Sequence, residues 1–306
     1  MRNVKGFFLV IFLFIILIDC GPKKEIMFEP KKEDYEGAVQ LVMTGPEKKI
    51  FRKLKDEEMR EEFMKEFWDK RDPNLSTEIN EFKEEFEARV TYAGLHYKSE
   101  GIPGWKTDRG RIYIYLGPPD HIYEQPYLNY PNLKARIVWV YYRYKLGLEF
   151  EDRTGMNRFD MRINPVYSFR LMDAISRSQF GLISRDEDLS DEKPAEVELD
   201  YDKEKKEIVF RIPNSALLYK EENDYFLVDL RFDFYIYSEE GIKKDKFSIN
   251  KNFRELKDEV LKMEKITFSF PYDYSEPGEY YMDVKVSDSD GIAKFRKIVN
   301  VKIGNS

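Results

Sequence analysis

Chemistry-bearing residues are scarce in this chain of 306 residues, which has one cysteine and two histidines. A single cysteine, Cys20, excludes an intrachain disulfide. His96 and His121 are the two histidines, and a zinc site, which draws three or four ligands from Cys, His and carboxylates, finds no such cluster in the sequence. No Gly-x-Ser-x-Gly elbow is present. Gly117-Pro118-Pro119 lacks the Gly-Lys-Ser/Thr end of a phosphate loop. Nor is there a basic excess: 51 Lys and Arg face 58 Asp and Glu, a net charge of −7. Nucleic-acid-binding domains are usually basic, so no nucleic-acid partner is expected, and no cofactor or metal. The apolar run from Phe7 to Ile18 falls short of the roughly 20 residues of a spanning helix.

What the chain does have is core material. Hydrophobic residues make up 42% and aromatics 15%, enough for two ordinary domains. Arg2 and Lys5 before the Phe7–Ile18 run give the layout of a secretory signal. The run ends Leu17-Ile18-Asp19-Cys20-Gly21, which resembles the lipobox of bacterial lipoproteins. There the cysteine thiol receives a diacylglycerol and becomes the new N-terminus. Leu17 and Ile18 fit the pattern, and Asp19 departs from the small residue usual before the cysteine. The expectation is a signal peptide over 1–20, lipidation at Cys20 and a tether over 21–34. The alternative is an ordinary signal with an incidental cysteine.

Two helices are expected next. Ile50, Leu54, Met59, Phe63 and Phe67 recur at helical spacing with one slip, predicting a helix from about Glu47 to Lys70. Arg71-Asp72-Pro73 ends it, because the residue before proline resists the α region. Ile79, Phe82, Phe86, Val90, Ala93 and Tyr97 share one face of a second helix, with Ser76 or Thr77 as its N-cap. Its stripe reads as core.

The chain is organised around the stretch that follows, Gly104 to Asp120. Gly104 and Gly110 bracket a polar loop and could take positive φ. Ile112, Ile114 and Leu116 alternate with Arg111, Tyr113 and Tyr115, which predicts a strand stopped by Gly117-Pro118-Pro119-Asp120. Gly104-Trp105-Lys106-Thr107-Asp108 resembles the signature of the GWxTD-domain proteins, a bacterial envelope family of undefined biochemical role. Phe67-Trp68, Arg71-Asp72-Pro73, Asn80-Glu81-Phe82 and Arg89-Val90 resemble the segment before that loop, and Ile137 to Tyr141 and Phe150 to Gly155 its later strands. The resemblance covers roughly residues 47–163.

Short strands at 119–124, 136–144, 146–150 and 158–163, joined by tight turns, favour an antiparallel sheet. Tyr167, Phe169 and Leu171 alternate, and Met172 to Phe180 suits a short helix. The acidic stretch 185–194 reads as a linker. Beyond it the pattern is pure strand, about seven in a hundred residues, which suggests an immunoglobulin-like sandwich. Tyr280, after Ser275-Glu276-Pro277-Gly278-Glu279, resembles its corner tyrosine and would bond back to the preceding loop.

The expected architecture is therefore α+β: N-terminal helices packed on an antiparallel sheet over 35–184, the linker 185–194, then an all-β immunoglobulin-like sandwich over 195–306. The resemblance and the leader imply a membrane-anchored lipoprotein of the bacterial envelope, facing the periplasm or outside, that binds or scaffolds a protein or glycan partner. The alternative is a hydrolase of envelope polymer with acidic residues near the loop. His121 is a better candidate for chemistry than His96, which sits at a helix end. Two readings of the loop stay open. Trp105 could plug a joint between helix and sheet, with Asp108 capping the turn and Arg109 paired to Asp72 or Asp152. Alternatively Trp105, Thr107, Asp108, Arg109 and Arg111, extended by Tyr113 and Tyr115, form a recognition surface.

Overall fold

The computed structural model describes residues 32–99, 101–125, 135–181 and 196–303. Cys20, the leader and the 185–194 linker lie outside the described residues. The fold is α+β, with helices first and antiparallel sheets after.

Helix α1 spans Lys32–Val42, α2 Gly45–Lys53 and α3 Glu57–Asp69. The single helix expected from Glu47 to Lys70 is thus two. The slip between Leu54 and Met59 marks the break: Leu54 is extended, and the Asp56 carboxylate accepts the N–H groups of Glu58 and Met59 to start α3 afresh. Thr44 and Glu47 close a capping box on α2. Helix α4, Glu81–His96, starts at the Asn80 cap rather than near Ser76 or Thr77. Thr77 is instead held in the preceding loop by its hydroxyl, and Ile79 is exposed. Phe86, Val90 and Ala93 form the buried stripe.

The strand expected at Ile112–Leu116 is a helix, α5, spanning Asp108–Leu116. Thr107 caps it by accepting the Gly110 N–H, at 3.1 Å. Ile112, Tyr113, Ile114 and Leu116 are all buried, so the helix is covered nearly all round. A short helix of that kind has no polar stripe, and its composition mimics strand alternation.

Four strands then form a meander in chain order: β1 His121–Gln125, β2 Ala135–Tyr141, β3 Leu146–Asp152 and β4 Phe159–Arg162. Ile137, Trp139 and Tyr141 of β2 and Leu148 and Phe150 of β3 bury one face against the helices. Helix α6, Pro165–Phe180, is a single helix over the stretch where alternation suggested extended chain; Asn164 caps it and Gly181 ends it at φ +73°.

Eight strands follow among the described residues. Strands β5 (Glu198–Asp202), β6 (Glu207–Pro213) and β10 (Lys265–Pro271) make one antiparallel sheet in the order β10-β6-β5. Strands β7 (Lys220–Glu222), β8 (Tyr225–Ser238), β9 (Lys243–Leu256), β11 (Gly278–Asp288) and β12 (Ala293–Ile303) make the other. Phe210 and Phe270 of the first sheet meet Phe232, Phe234 and Met282 of the second in one core. The Tyr280 hydroxyl donates to the Glu276 carbonyl at 2.7 Å, the bond back to the loop that the sequence suggested.

The second sheet is buried on its other face too. Asp233, Tyr235 and Tyr237 of β8 and Tyr281, Asp283 and Lys285 of β11 point away from that core yet are buried. Helix α3 covers them: Phe63 packs on Tyr237, whose hydroxyl donates to Glu66.

Candidate functional site

The Gly104–Asp108 loop is a joint made by close approach. A Cβ on Gly104 would stand 1.8 Å from the Ala93 carbonyl oxygen, and one on Gly110 would stand 1.8 Å from the Gly104 carbonyl oxygen. Neither glycine has positive φ. Both are needed because three backbones touch: α4, the loop and α5.

Each signature side chain faces inward or along the surface to a partner. Trp105 lies against α1, where a Cβ on Gly37 would meet its ring at 2.4 Å, and its indole N–H donates to Asp34 at 3.1 Å. The joint it plugs is between helices, not between helix and sheet. Thr107 caps α5. Asp108 accepts the Met161 N–H of β4 at 2.7 Å and pairs with Arg111. Arg109 stacks over Phe159 at 4.4 Å and Tyr97 at 5.3 Å, with Asp152 and Glu124 as the acidic groups near it. Tyr113 is buried and stacked on Tyr92, and the Tyr115 hydroxyl donates to the Leu41 carbonyl at 3.3 Å. At the far end of α5, Arg89 donates to the carbonyls of Ile114 and Tyr115. Arg111 alone of these residues is exposed at the surface. His96 stacks on Tyr92, and His121 begins β1 beside Tyr123.

A second constellation, which sequence reasoning missed, lies under the five-stranded sheet. Glu47 of α2 receives Arg71 at 2.6 Å and Arg296 of β12 at 2.7 Å, with the Lys70 ammonium at 3.5 Å. Asp283 receives Arg296 at 2.7 Å and Lys70 at 3.2 Å. All five side chains are buried. Burial pushes the Glu47 carboxyl upward, but Arg71, Arg296 and Lys70 together outweigh it and hold it well below the usual range. Asp283 is lowered the same way, by Arg296 and Lys70 against burial. Lys285 sends its ammonium to the carbonyls of Asp69 and Asp72 at 3.1 and 2.7 Å, and burial lowers its pKa to about 8. The available signal was Tyr235, Tyr237 and Tyr281 on the face opposite the core. Rings on the second face of a sheet ask for a cover.

Open surface is found elsewhere. A groove of about 630 Å³ runs between α1, α2 and α3, with Val39, Met43, Phe51, Met64 and Trp68 among its lining. Its rim carries Glu36, Glu57, Glu61 and Asp69 against Arg60 and Lys65. A second hollow of about 500 Å³ opens beside Trp105, lined by Asp34, Val90, Lys98 and Ile102. Among the described residues no three Asp, Glu, His or Cys side chains converge as metal ligands, and no helix is long and apolar enough to cross a membrane.

Residues 28–176 match the family model of the GWxTD domain. The chain is a GWxTD-domain protein. The match reaches further on both sides than the resemblance read from the motifs, taking in α1 and most of α6. The GWxTD residues are thus the contacts that join α1, α4, α5 and β4 within the domain. Comparison with curated proteins finds no match. Among solved structures the chain is similar to the chicken interferon gamma receptor alpha chain, at 15% identity over 37% of this chain and 51% of that one, with a TM-score of 0.19. The likeness spans about half of that receptor chain and is too slight to speak for fold or function.

Proposed function

We propose that the protein is a lipid-anchored binding or scaffolding module of the bacterial envelope, tethered through Cys20, whose groove between α1, α2 and α3 holds a segment of a protein partner. The observation that carries the binding reading is the groove itself. Its floor is aromatic and aliphatic, and it remains open in a domain whose signature loop is committed to internal contacts. Acidic groups outnumber basic ones on the rim, so the segment that fits is apolar with basic flanks.

In this reading the GWxTD loop sets the shape of the domain, and Lys106 of the loop and Arg111 of α5 are what it leaves exposed. The C-terminal sheets, with the Tyr280 corner, belong to an immunoglobulin-like sandwich that serves as the body of the scaffold. Hydrolysis by an acidic residue of the loop draws no support from Asp108, whose oxygens are engaged by Met161 and Arg111.

The test uses the full chain in its native host, with a photo-crosslinking residue at Lys65 on the groove rim or at Lys205 in a β-turn. Expected are a Cys20-dependent mass gain, retention in the membrane fraction, and a discrete protein adduct from position 65 alone that Met64→Glu abolishes without unfolding. Absence of any adduct from position 65 in the chain that keeps Met64, with acylation intact, sinks the groove reading. An unmodified, soluble wild type sinks the anchor.

A further inference from the structure

Helix α6 is apolar on two opposite sides. One side packs into the domain through Tyr167, Leu171, Ala174 and Ser178. On the other side Val166, Phe169 and Met172 are 76, 80 and 68% exposed, and Ile163 just before the helix is 79% exposed. Large apolar side chains this bare, spaced by three residues along one helix, form a contiguous stripe of the kind that marks an interaction surface.

The surroundings indicate what covers it. Arg162 precedes Ile163, and Arg170 follows Phe169 and donates to the Lys145 carbonyl at 3.2 Å in the β2–β3 turn. That turn also carries Tyr142, 63% exposed, and Arg143. The described stretch 135–181 holds eight Arg or Lys against five acidic residues, in a chain whose net charge is −7. An aliphatic and aromatic stripe, a nearby exposed tyrosine and a local basic excess are together the composition of a helix lying in a membrane interface. A protein partner would be served by the stripe alone. The positive charge on an otherwise acidic body favours an anionic lipid surface.

We infer that the Ile163–Met172 face of α6 seats on an anionic bilayer, with the apolar side chains among the acyl chains and Arg162, Arg170 and Lys145 at the headgroups. This goes beyond the lipid anchor and does not depend on it. Contact by α6 fixes which side of the domain faces the membrane, where a tether alone leaves it free to turn.

The experiment uses the full chain with Cys20→Ala, so that no acyl chain is present and every thiol is introduced. Met172→Cys is labelled with an environment-sensitive fluorophore, and Lys205→Cys serves as the control. Each is mixed with vesicles of phosphatidylglycerol and phosphatidylcholine, or of phosphatidylcholine alone. The expected result is a blue shift at 172 and none at 205 with the anionic vesicles, weakened by high salt. Phe169→Glu together with Val166→Glu, both at exposed positions, should weaken the apparent partitioning at least about tenfold with an unchanged circular dichroism spectrum. No shift at 172 with anionic vesicles overturns the inference. So does a shift that needs no vesicles and grows with protein concentration, which identifies the stripe as a contact between copies of the chain. Neither result touches the Cys20 mass measurement.

Discussion

Arg296 on the last strand reaches Glu47 on the second helix at 2.7 Å, across 249 positions of sequence. The same guanidinium holds Asp283 on the neighbouring strand, and Lys70 closes the ring from the end of α3. The helices of the GWxTD domain and the sheet beyond it are therefore joined by buried charge as well as by aromatic packing.

Removing one member of such a cluster leaves the others buried and uncompensated. Glu47→Gln should cost about 3–5 kcal/mol of unfolding free energy in urea. A double-mutant cycle with Arg296→Met should show strong coupling. Additive effects would mean that the contact is not energetically joined. The variant should also lose acid sensitivity. Glu47 and Asp283 have folded pKa values below their ordinary 4.5 and 3.8, so their contribution is complete above those values and lost as pH falls through the lower, folded ones. Between neutral pH and pH ~3 the wild type should lose stability more steeply than Glu47→Gln.

Lys285 works in the opposite direction. Its folded pKa of about 8 lies under the ordinary 10.5, so the unfolded chain binds the extra proton between those values and stability rises with pH across that window. Relative to Lys285→Met, the wild type should gain up to about 3 kcal/mol from pH 8 to pH 10.5. Parallel pH profiles of the two proteins would show that this lysine carries no such proton.

The joint at the signature loop has no room. Gly104→Ala and Gly110→Ala each drive a methyl group into a backbone carbonyl and should cost about 3 kcal/mol or more, or block folding. Gly45→Ala, where a Cβ meets nothing within 4 Å, is the matched control and should be neutral or slightly stabilising in thermal melts.

Tyr280→Phe deletes one hydroxyl and its 2.7 Å bond to Glu276. A loss of about 1 kcal/mol in chemical denaturation is expected, with the spectrum of the folded state unchanged. A neutral result would mean that the corner bond is replaced by water at no cost.

Strand β2 and the first half of β8 were legible because alternation there reports real one-sided burial, as in Ile137, Trp139 and Tyr141 or Val228, Leu230 and Phe232. Helix α5 was not legible, since residues buried on every side carry no periodic signal. The break at Leu54 showed only as a slip in spacing, and its cause, the Asp56 cap, is one residue. The buried charges were the hardest part. Asp283, Lys285 and Arg296 have the pattern of a solvated sheet face, and only the tyrosines beside them, Tyr281, Tyr235 and Tyr237, hint at a cover. Their burial is decided by a helix more than two hundred positions away. The signature glycines were recognised as special for the wrong reason: contact distance, not dihedral angle, fixes them.

Strand β4 lies at one edge of its sheet, where an unpaired backbone N–H invites another strand to add on. Asp108 occupies the Met161 N–H on that edge. The aspartate of the signature therefore acts as a gatekeeper against edge-to-edge aggregation, and its loss would be felt as sticky, misassembling protein.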